Sequence, residues 1–299
     1  MNPAGGTPDA TRAARVVSVG RNSAWIAFEG SDELQLASFP KRLERLSLVP
    51  GDLVHAAVLD AERVIVERRE PRTFALERRT GGGRLKTMAA NIDGIAIVAA
   101  LAQPPLHPAM VDELLAFAAI HQITAHLILT KPDLAESEAA DAIVTLYRSL
   151  GYLVLTANPK AREGVDAIEA VLRGHRTLLI GQSGVGKSSL FRAFGGSATV
   201  GDVSKGGRGR QTTSAGRLHH FDDGFVIDSP GVSEFELDGM TAADVANGFV
   251  EFVPLLGSCR FTDCSHRREP GCAIRAAVDA GRIARSRFES YIAIVSRRP

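Results

Sequence analysis

The stretch Thr177-Leu-Leu-Ile-Gly-Gln-Ser-Gly-Val-Gly-Lys-Ser-Ser-Leu190 constrains this chain more than any other. An apolar run leads into a glycine-rich loop and then into a helical pattern. Gly181 and Gly186 bracket Gln182, Ser183, Gly184 and Val185, and Lys187, Ser188 and Ser189 follow. That spacing wraps loop amides around a phosphate, sends a lysine to the β and γ oxygens and puts a hydroxyl on Mg2+. The following helix aims its positive end at the same anion. A chance glycine-rich turn would lack the flanking strand expected over 178–180 and the helix expected over 188–194, so the stretch reads as a nucleotide-phosphate cradle.

With 299 residues and 45% hydrophobic content, the chain can bury a sizeable core and divide into two or three domains. No apolar run reaches membrane-spanning length, and residues 1–11 lack the basic start and apolar middle of a signal peptide. A cytoplasmic protein with a short disordered N-terminus and no membrane partner is expected. The net charge of +1 hides two basic segments. Over 68–86 there are seven Lys/Arg against two Glu, and over 257–299 nine Arg against four acids, a local +5 in each case. Two such patches flanking an otherwise acidic chain point to a polyanionic partner.

Five β-rich runs, 14–19, 23–28, 34–38, 53–59 and 63–67, are separated by turn chemistry such as Pro50-Gly-Asp52 and contain no helix of comparable strength. They suit a small antiparallel barrel of the OB type over 12–68, whose exposed face binds oligonucleotides in many proteins; a purely structural barrel fits them equally well. Trp25 and Phe28 fit core positions as well as stacking platforms. The basic segment 69–90, with Pro71 and Gly81 to Gly83, reads as a linker and flexible loop. From 91 to 250 strands and helices alternate in the rhythm of a doubly wound parallel sheet, and ligands of such sheets gather at the carboxyl ends of the strands.

Thr130-Lys131-Pro132-Asp133 follows one of these strands and resembles the Asn-Lys-x-Asp turn that reads guanine, with Asp133 accepting from the ring N–H and exocyclic amine while the Lys131 stem covers the base. Adenine presents the opposite pattern and would leave a buried carboxylate unpaired, which disfavours an ATP-dependent reading. Thr130 in place of Asn keeps one donor and predicts weaker binding. Asp228-Ser-Pro-Gly231 ends another strand 41 residues after Lys187, across a polar glycine-rich loop. Asp228 suits the acid that holds Mg2+ through water, and Gly231 offers its amide to a γ-phosphate. Either Thr212 or Thr213 in that loop supplies a hydroxyl closing on Mg2+, with Thr212 preferred. The base-reading turn precedes the cradle, the reverse of ordinary GTPases, so the chain looks circularly permuted.

Cys259, Cys264, His266 and Cys272 place three thiolates and one imidazole within fourteen residues, the donor set of a closed structural zinc site. The segment beyond reads as two short basic helices too small for a core of their own, which a metal staple over 251–299 would remedy.

Barrel, Gly-Gln-Ser-Gly-Val-Gly-Lys-Ser-Ser, Gly209-Arg-Gln-Thr-Thr213, Asp-Ser-Pro-Gly and Cys-x4-Cys-x-His-x5-Cys together resemble the bacterial ribosome small subunit-dependent GTPase A family, over nearly the whole chain. The resemblance implies an OB barrel, a circularly permuted P-loop GTPase domain and a zinc-stapled helical domain. It also implies hydrolysis of GTP to GDP and phosphate with Mg2+, stimulated by the 30S subunit and its 16S rRNA late in subunit maturation, by a protein expected to be a monomer. Members of the family use a switch histidine where this sequence has Gln211, and the water-orienting Gln of Ras-like enzymes is replaced by Val232. Gln211 is therefore the expected water-positioning residue. The reading from a different class is a nucleotide-gated RNA-binding module with negligible turnover.

Overall fold

The computed structural model describes residues 11–20, 22–31, 33–40, 47–60, 63–79, 85–195, 217–221, 224–228 and 240–297. Strands β1 (Arg12–Val19), β2 (Ser23–Phe28), β3 (Leu34–Ser38), β4 (Leu53–Val58) and β5 (Val64–Arg69) close into a barrel in the order β1-β2-β3-β5-β4, with β4 returning to β1. All pairs are antiparallel except β3 with β5, as in an OB-fold. Period-2 alternation fills the interior with Ala14, Val16, Ala24, Ile26, Phe28, Val54, Ala56, Val64 and Val66. Phe28 is thus core, capped outside by the Arg12 guanidinium 4.5 Å from its ring centroid. Trp25 faces away from that interior.

Within the segment expected to be a linker, the described residues form two strands, while Gly81 to Gly83 lie outside the described residues. Strands β6 (Ala75–Arg79) and β7 (Leu85–Ala90) form an antiparallel hairpin whose Leu76, Met88 and Ala89 enter the main core. Arg72 forks onto the fully buried Asp52 of the barrel at 2.7 and 2.9 Å and also donates to the Ser47 carbonyl. Asn91 accepts from the Thr73 amide and donates to the Gly51 carbonyl. A Cβ on Gly51 (φ +89°) would lie 1.9 Å from the Ala90 carbonyl oxygen, so only glycine lets the barrel turn and the hairpin meet.

Six further strands form one sheet in the order β10-β9-β8-β11-β13-β12: β8 (Gly94–Ala100), β9 (Thr124–Thr130), β10 (Leu153–Ala157), β11 (Arg176–Ile180), β12 (Arg217–Phe221) and β13 (Gly224–Asp228). The first five in that order run parallel, and β12 is an antiparallel edge strand. The helices are α1 (Pro108–His121), α2 (Ser137–Ser149), α3 (Val165–Leu172), α4 (Lys187–Ala193), α5 (Ala242–Asn247), α6 (Ala273–Asp279) and α7 (Arg285–Ser296). Strand β8 is buried on both faces: Ile95, Ile97 and Ala99 join the core with α1, while Ala96, Val98 and Ala100 join the core with α3 and α4. The barrel adds Val17 and Ala27 to the first of these cores, and Arg15 lays its guanidinium 4.2 Å from the centroid of Phe225 on β13.

The C-terminal helices, too small for a core of their own, borrow one. Ile274, Ala277, Val278, Ile283, Tyr291, Ile294 and Val295 share one core with α1 and the sheet, so this segment needs no separate core. Arg287, counted in the basic C-terminus, is only 1% exposed. It binds Glu251 in a fork at 2.6 and 3.0 Å, donates to Asp112 of α1, and packs 4.5 Å from the Phe249 ring centroid. Burial disfavours its charge, but the Glu251 hydrogen bonds and the Asp112 and Glu251 charges outweigh this and raise its pKa.

Candidate nucleotide and metal sites

Strand registers bring the motifs to one edge of the sheet. Ala100 of β8 pairs with Thr130, Ala157 with Thr130, and Leu179 with Asp228, so the turn at 130–133, the glycine-rich loop 181–186 and Asp228 all emerge from adjacent carboxyl ends. Gly181 leaves β11 so close to β8 that a Cβ would lie 2.1 Å from the Val98 carbonyl oxygen. Gly186 (φ +102°) turns the chain into α4. Between them Val185 is buried as the cradle's anchor, while Ser183 and Gly184 are exposed and Gln182 half-buried. Lys187 folds back over the loop, donating to the Gly181 and Gln182 carbonyls at 2.5 and 2.7 Å. Burial lowers its pKa, and the charge of nearby Asp228 opposes that shift. Ser188 and Ser189 open α4, Ser188 exposed and Ser189 half-buried.

Thr130 is fully buried, and its hydroxyl lies 2.5 Å from the Val185 carbonyl, to which it donates. The hydroxyl thus links the turn at 130–133 to the loop 181–186, with the Ala99 carbonyl a second acceptor at 3.3 Å, so its one donor is spent on backbone. Thr130→Val keeps the shape and removes the donor, leaving a buried carbonyl unpaired at a cost of about 1–3 kcal/mol. Nucleotide affinity is expected to fall by roughly tenfold or more; equal affinity of the two proteins in a fluorescent-nucleotide titration would contradict a role for this link. Lys131, in the left-handed region at φ 56°, donates to the carbonyl of Gln103 in the loop after β8. Pro132 to Leu134 form a 3-10 turn that leaves Asp133 exposed at the mouth of the site. The Gln103 carbonyl carries no side-chain signal, which is why the sequence does not reveal it. Gln211, Thr212 and Gly231 lie outside the described residues.

The four proposed metal donors converge. Their ligand atoms all lie within 4.8 Å of one another, with Cys259 Sγ and Cys272 Sγ each 3.5 Å from His266 Nδ1 and 4.0 Å from each other. A tetrahedron with ~2.3 Å Zn–S and ~2.0 Å Zn–N bonds has edges of ~3.5–3.8 Å, so the donor set fits zinc. Burial pushes the Cys264 thiol up to about 12 and raises Cys272 as well, so thiolates here call for a compensating cation. A second layer holds the loop. Ser265 donates its amide and hydroxyl to Glu269, and the Tyr291 hydroxyl donates to the Ser265 carbonyl at 2.8 Å. The hydrogen bond from the Ser265 hydroxyl is the main reason that Glu269 is lowered to about 2.

The RsgA GTPase family model matches residues 69–238. A protein from Chromohalobacter salexigens named small ribosomal subunit biogenesis GTPase RsgA is 44% identical over 255 residues, covering 83% of this chain and 74% of that one. Its namesake from Pseudomonas syringae pv. tomato is 39% identical over 280 residues, covering 91% and 81%. Among solved structures, YjeQ from Thermotoga maritima superposes with a TM-score of 0.70 at 27% identity, covering 96% of this chain and 98% of that one. YloQ, described as a circularly permuted GTPase, shares the fold with a TM-score of 0.67 at 23% identity, covering 97% of each chain. With the family model matched over more than half of its length, the chain belongs to the RsgA GTPase family.

Proposed function

We propose that this protein hydrolyses GTP during assembly of the small ribosomal subunit, in the cytoplasm, with turnover stimulated by the 30S particle. The observation that carries the reading is the junction of Thr130 with Val185, which ties the guanine-reading turn to the phosphate cradle. In this scheme Asp133 selects guanine, and the loop amides from Gln182 to Lys187 hold the phosphates. Lys187 exchanges its carbonyl partners for β/γ oxygens. Ser188, Thr212 and Asp228 would hold Mg2+, which neutralises charge developing on the phosphates. Gln211 positions the attacking water from the switch loop, because Val232 has no side-chain donor or acceptor. Gln211→Ala is expected to lower 30S-stimulated turnover by about a hundredfold while sparing GTP affinity; a stimulated rate equal to wild type would remove Gln211 from the mechanism.

The relatives' names supply the ribosomal partner, and the basic segments 68–86 and 257–299 supply charge of the right sign for 16S rRNA. No helix among the described residues is long and apolar enough to cross a membrane. Zinc is proposed at the Cys3His cluster as a structural ion, one per chain, working as a monomer's staple rather than in catalysis. Cys264→Ser should lower bound zinc below one equivalent and lower the thermal midpoint; full zinc occupancy by elemental analysis with an unchanged midpoint would contradict it. The overall reading is tested by phosphate release from GTP with and without 30S subunits.

A further inference from the structure

A pocket of about 170 Å3 opens where the barrel meets the sheet, at the opposite end of β11 from the cradle. Its sheet side is a row across three neighbouring strands: Arg176 of β11 pairs with Phe225 of β13, and Phe225 pairs with His220 of β12. Its barrel side is Arg15 of β1 with its partner Ala27 of β2, and Glu29 and Gly30 follow at the end of β2. Both arginines are half-buried, whereas Glu29 is exposed. Arg15 stacks on Phe225 and donates from Nη1 to the Gly51 carbonyl at 3.1 Å. Among the described residues it makes no other hydrogen bond and has no carboxylate within ion-pair distance. Arg176 spends its Nε on Asp93 at 3.0 Å, and its Nη groups have no partner among the described residues. Burial and the charge of Arg176 lower the Arg15 pKa to about 10, against the smaller pull of Glu29. That is the direction of a cation short of counter-charge. A guanidinium carries its N–H donors in a fork that matches oxyanions, and here two forks with unspent donors line one cavity.

We propose that this pocket binds a compact dianionic phosphoryl group, from inorganic phosphate or a small phosphomonoester, between Arg15 of the barrel and Arg176 of the sheet. The anion supplies the counter-charge that Glu29, which makes no ion pair among the described residues, does not. Its oxygens accept from both guanidiniums, so one ligand ties the barrel to the strand that carries the cradle at its other end. Size limits the guest. The cavity is smaller than the ~300 Å3 or more of a site for drug-sized molecules, so it takes a phosphoryl group and not a whole nucleotide. The site is separate from the cradle and does not depend on the proposed turnover.

The test follows the arginine Nε–Hε resonances of the full zinc-loaded chain by NMR. The cradle is saturated with a non-hydrolysable GTP analogue and Mg2+, so that added phosphate does not enter it. Inorganic phosphate, titrated at constant ionic strength, is expected to shift the Arg15 and Arg176 signals together and saturably. No shift, or a drift shared by all arginines, would overturn the site. Arg15→Gln should weaken binding, read at Arg176, by about tenfold or more. Glu29→Gln changes an exposed side chain and should tighten binding roughly twofold to fivefold. Either variant binding phosphate like wild type would overturn the proposal. Methyl phosphate and dimethyl phosphate separate the sources. Methyl phosphate binding as well as phosphate supports a phosphomonoester guest, and phosphate binding alone supports the free ion. Dimethyl phosphate, singly charged like the RNA backbone, should bind about tenfold more weakly or worse. Binding of dimethyl phosphate equal to that of the dianions would overturn the dianion site and point to an RNA strand instead.

Discussion

Arg287→Leu should destabilise the protein by about 3–5 kcal/mol, the largest stability effect expected of any single substitution. The guanidinium is 1% exposed and answers two carboxylates from distant parts of the chain, Asp112 on α1 and Glu251 before the metal loop. Removing it strands both carboxylates in the core, where Asp112 is already pushed up by burial against the pull of Arg287. The Tyr147 hydroxyl, which donates to Asp112 at 2.7 Å, can satisfy only part of what is lost. Replacing all three charges by leucine should recover much of the deficit, because well-packed apolar groups avoid the desolvation cost altogether. Urea unfolding, followed by ellipticity and by zinc release, measures both variants. A loss below about 1 kcal/mol for Arg287→Leu, or a triple variant no better than the single one, would show that the network does not hold α7 onto α1.

The largest effect on activity is expected from Lys187→Ala. Its ammonium is already placed over the cradle by the Gly181 and Gln182 carbonyls, so binding a phosphate requires an exchange of partners and little reorganisation. Loss of a preorganised positive group facing developing charge typically costs about 10²–10³ in rate, and at least that is expected here in single-turnover GTP hydrolysis. GTP affinity should also fall, since the same charge faces the ground-state phosphates. A variant hydrolysing GTP within a few fold of wild type would mean that Lys187 serves only the fold of the loop.

The sequence exposes most of this architecture wherever the signal is local. The barrel strands alternate clearly, the double-sided burial of β8 shows as the apolar run 94–100, and all four metal donors lie within fourteen residues. The hairpin of β6 and β7 escapes because Leu76, Met88 and Ala89 are its main apolar contributions, a register shift at Leu76/Glu77 breaks the alternation, and arginines surround them. Arg287 escapes for a different reason: its partner Asp112 is 175 residues away, and nothing local separates a buried arginine from the eight other arginines of the basic C-terminus. The signal that was present is on the other partner. Asp112 and Glu113 sit inside an otherwise apolar helix, which predicts cationic partners, and Arg287 and Arg297 are those partners. Thr130 shows the same limit at the site. Its position marks it as a base reader, and only the fold reveals that its hydroxyl is committed to Val185.

The proposed function couples a guanine-specific cradle to ribosome assembly. Phosphate release from GTP, measured on the zinc-loaded chain with and without purified 30S subunits and with Lys187→Ala as control, tests it most directly. Slow release alone, stimulation of about tenfold or more by 30S, no comparable turnover of ATP and a flat response from the variant are expected. Release that 30S leaves unchanged, or ATP hydrolysed as readily as GTP, would contradict it.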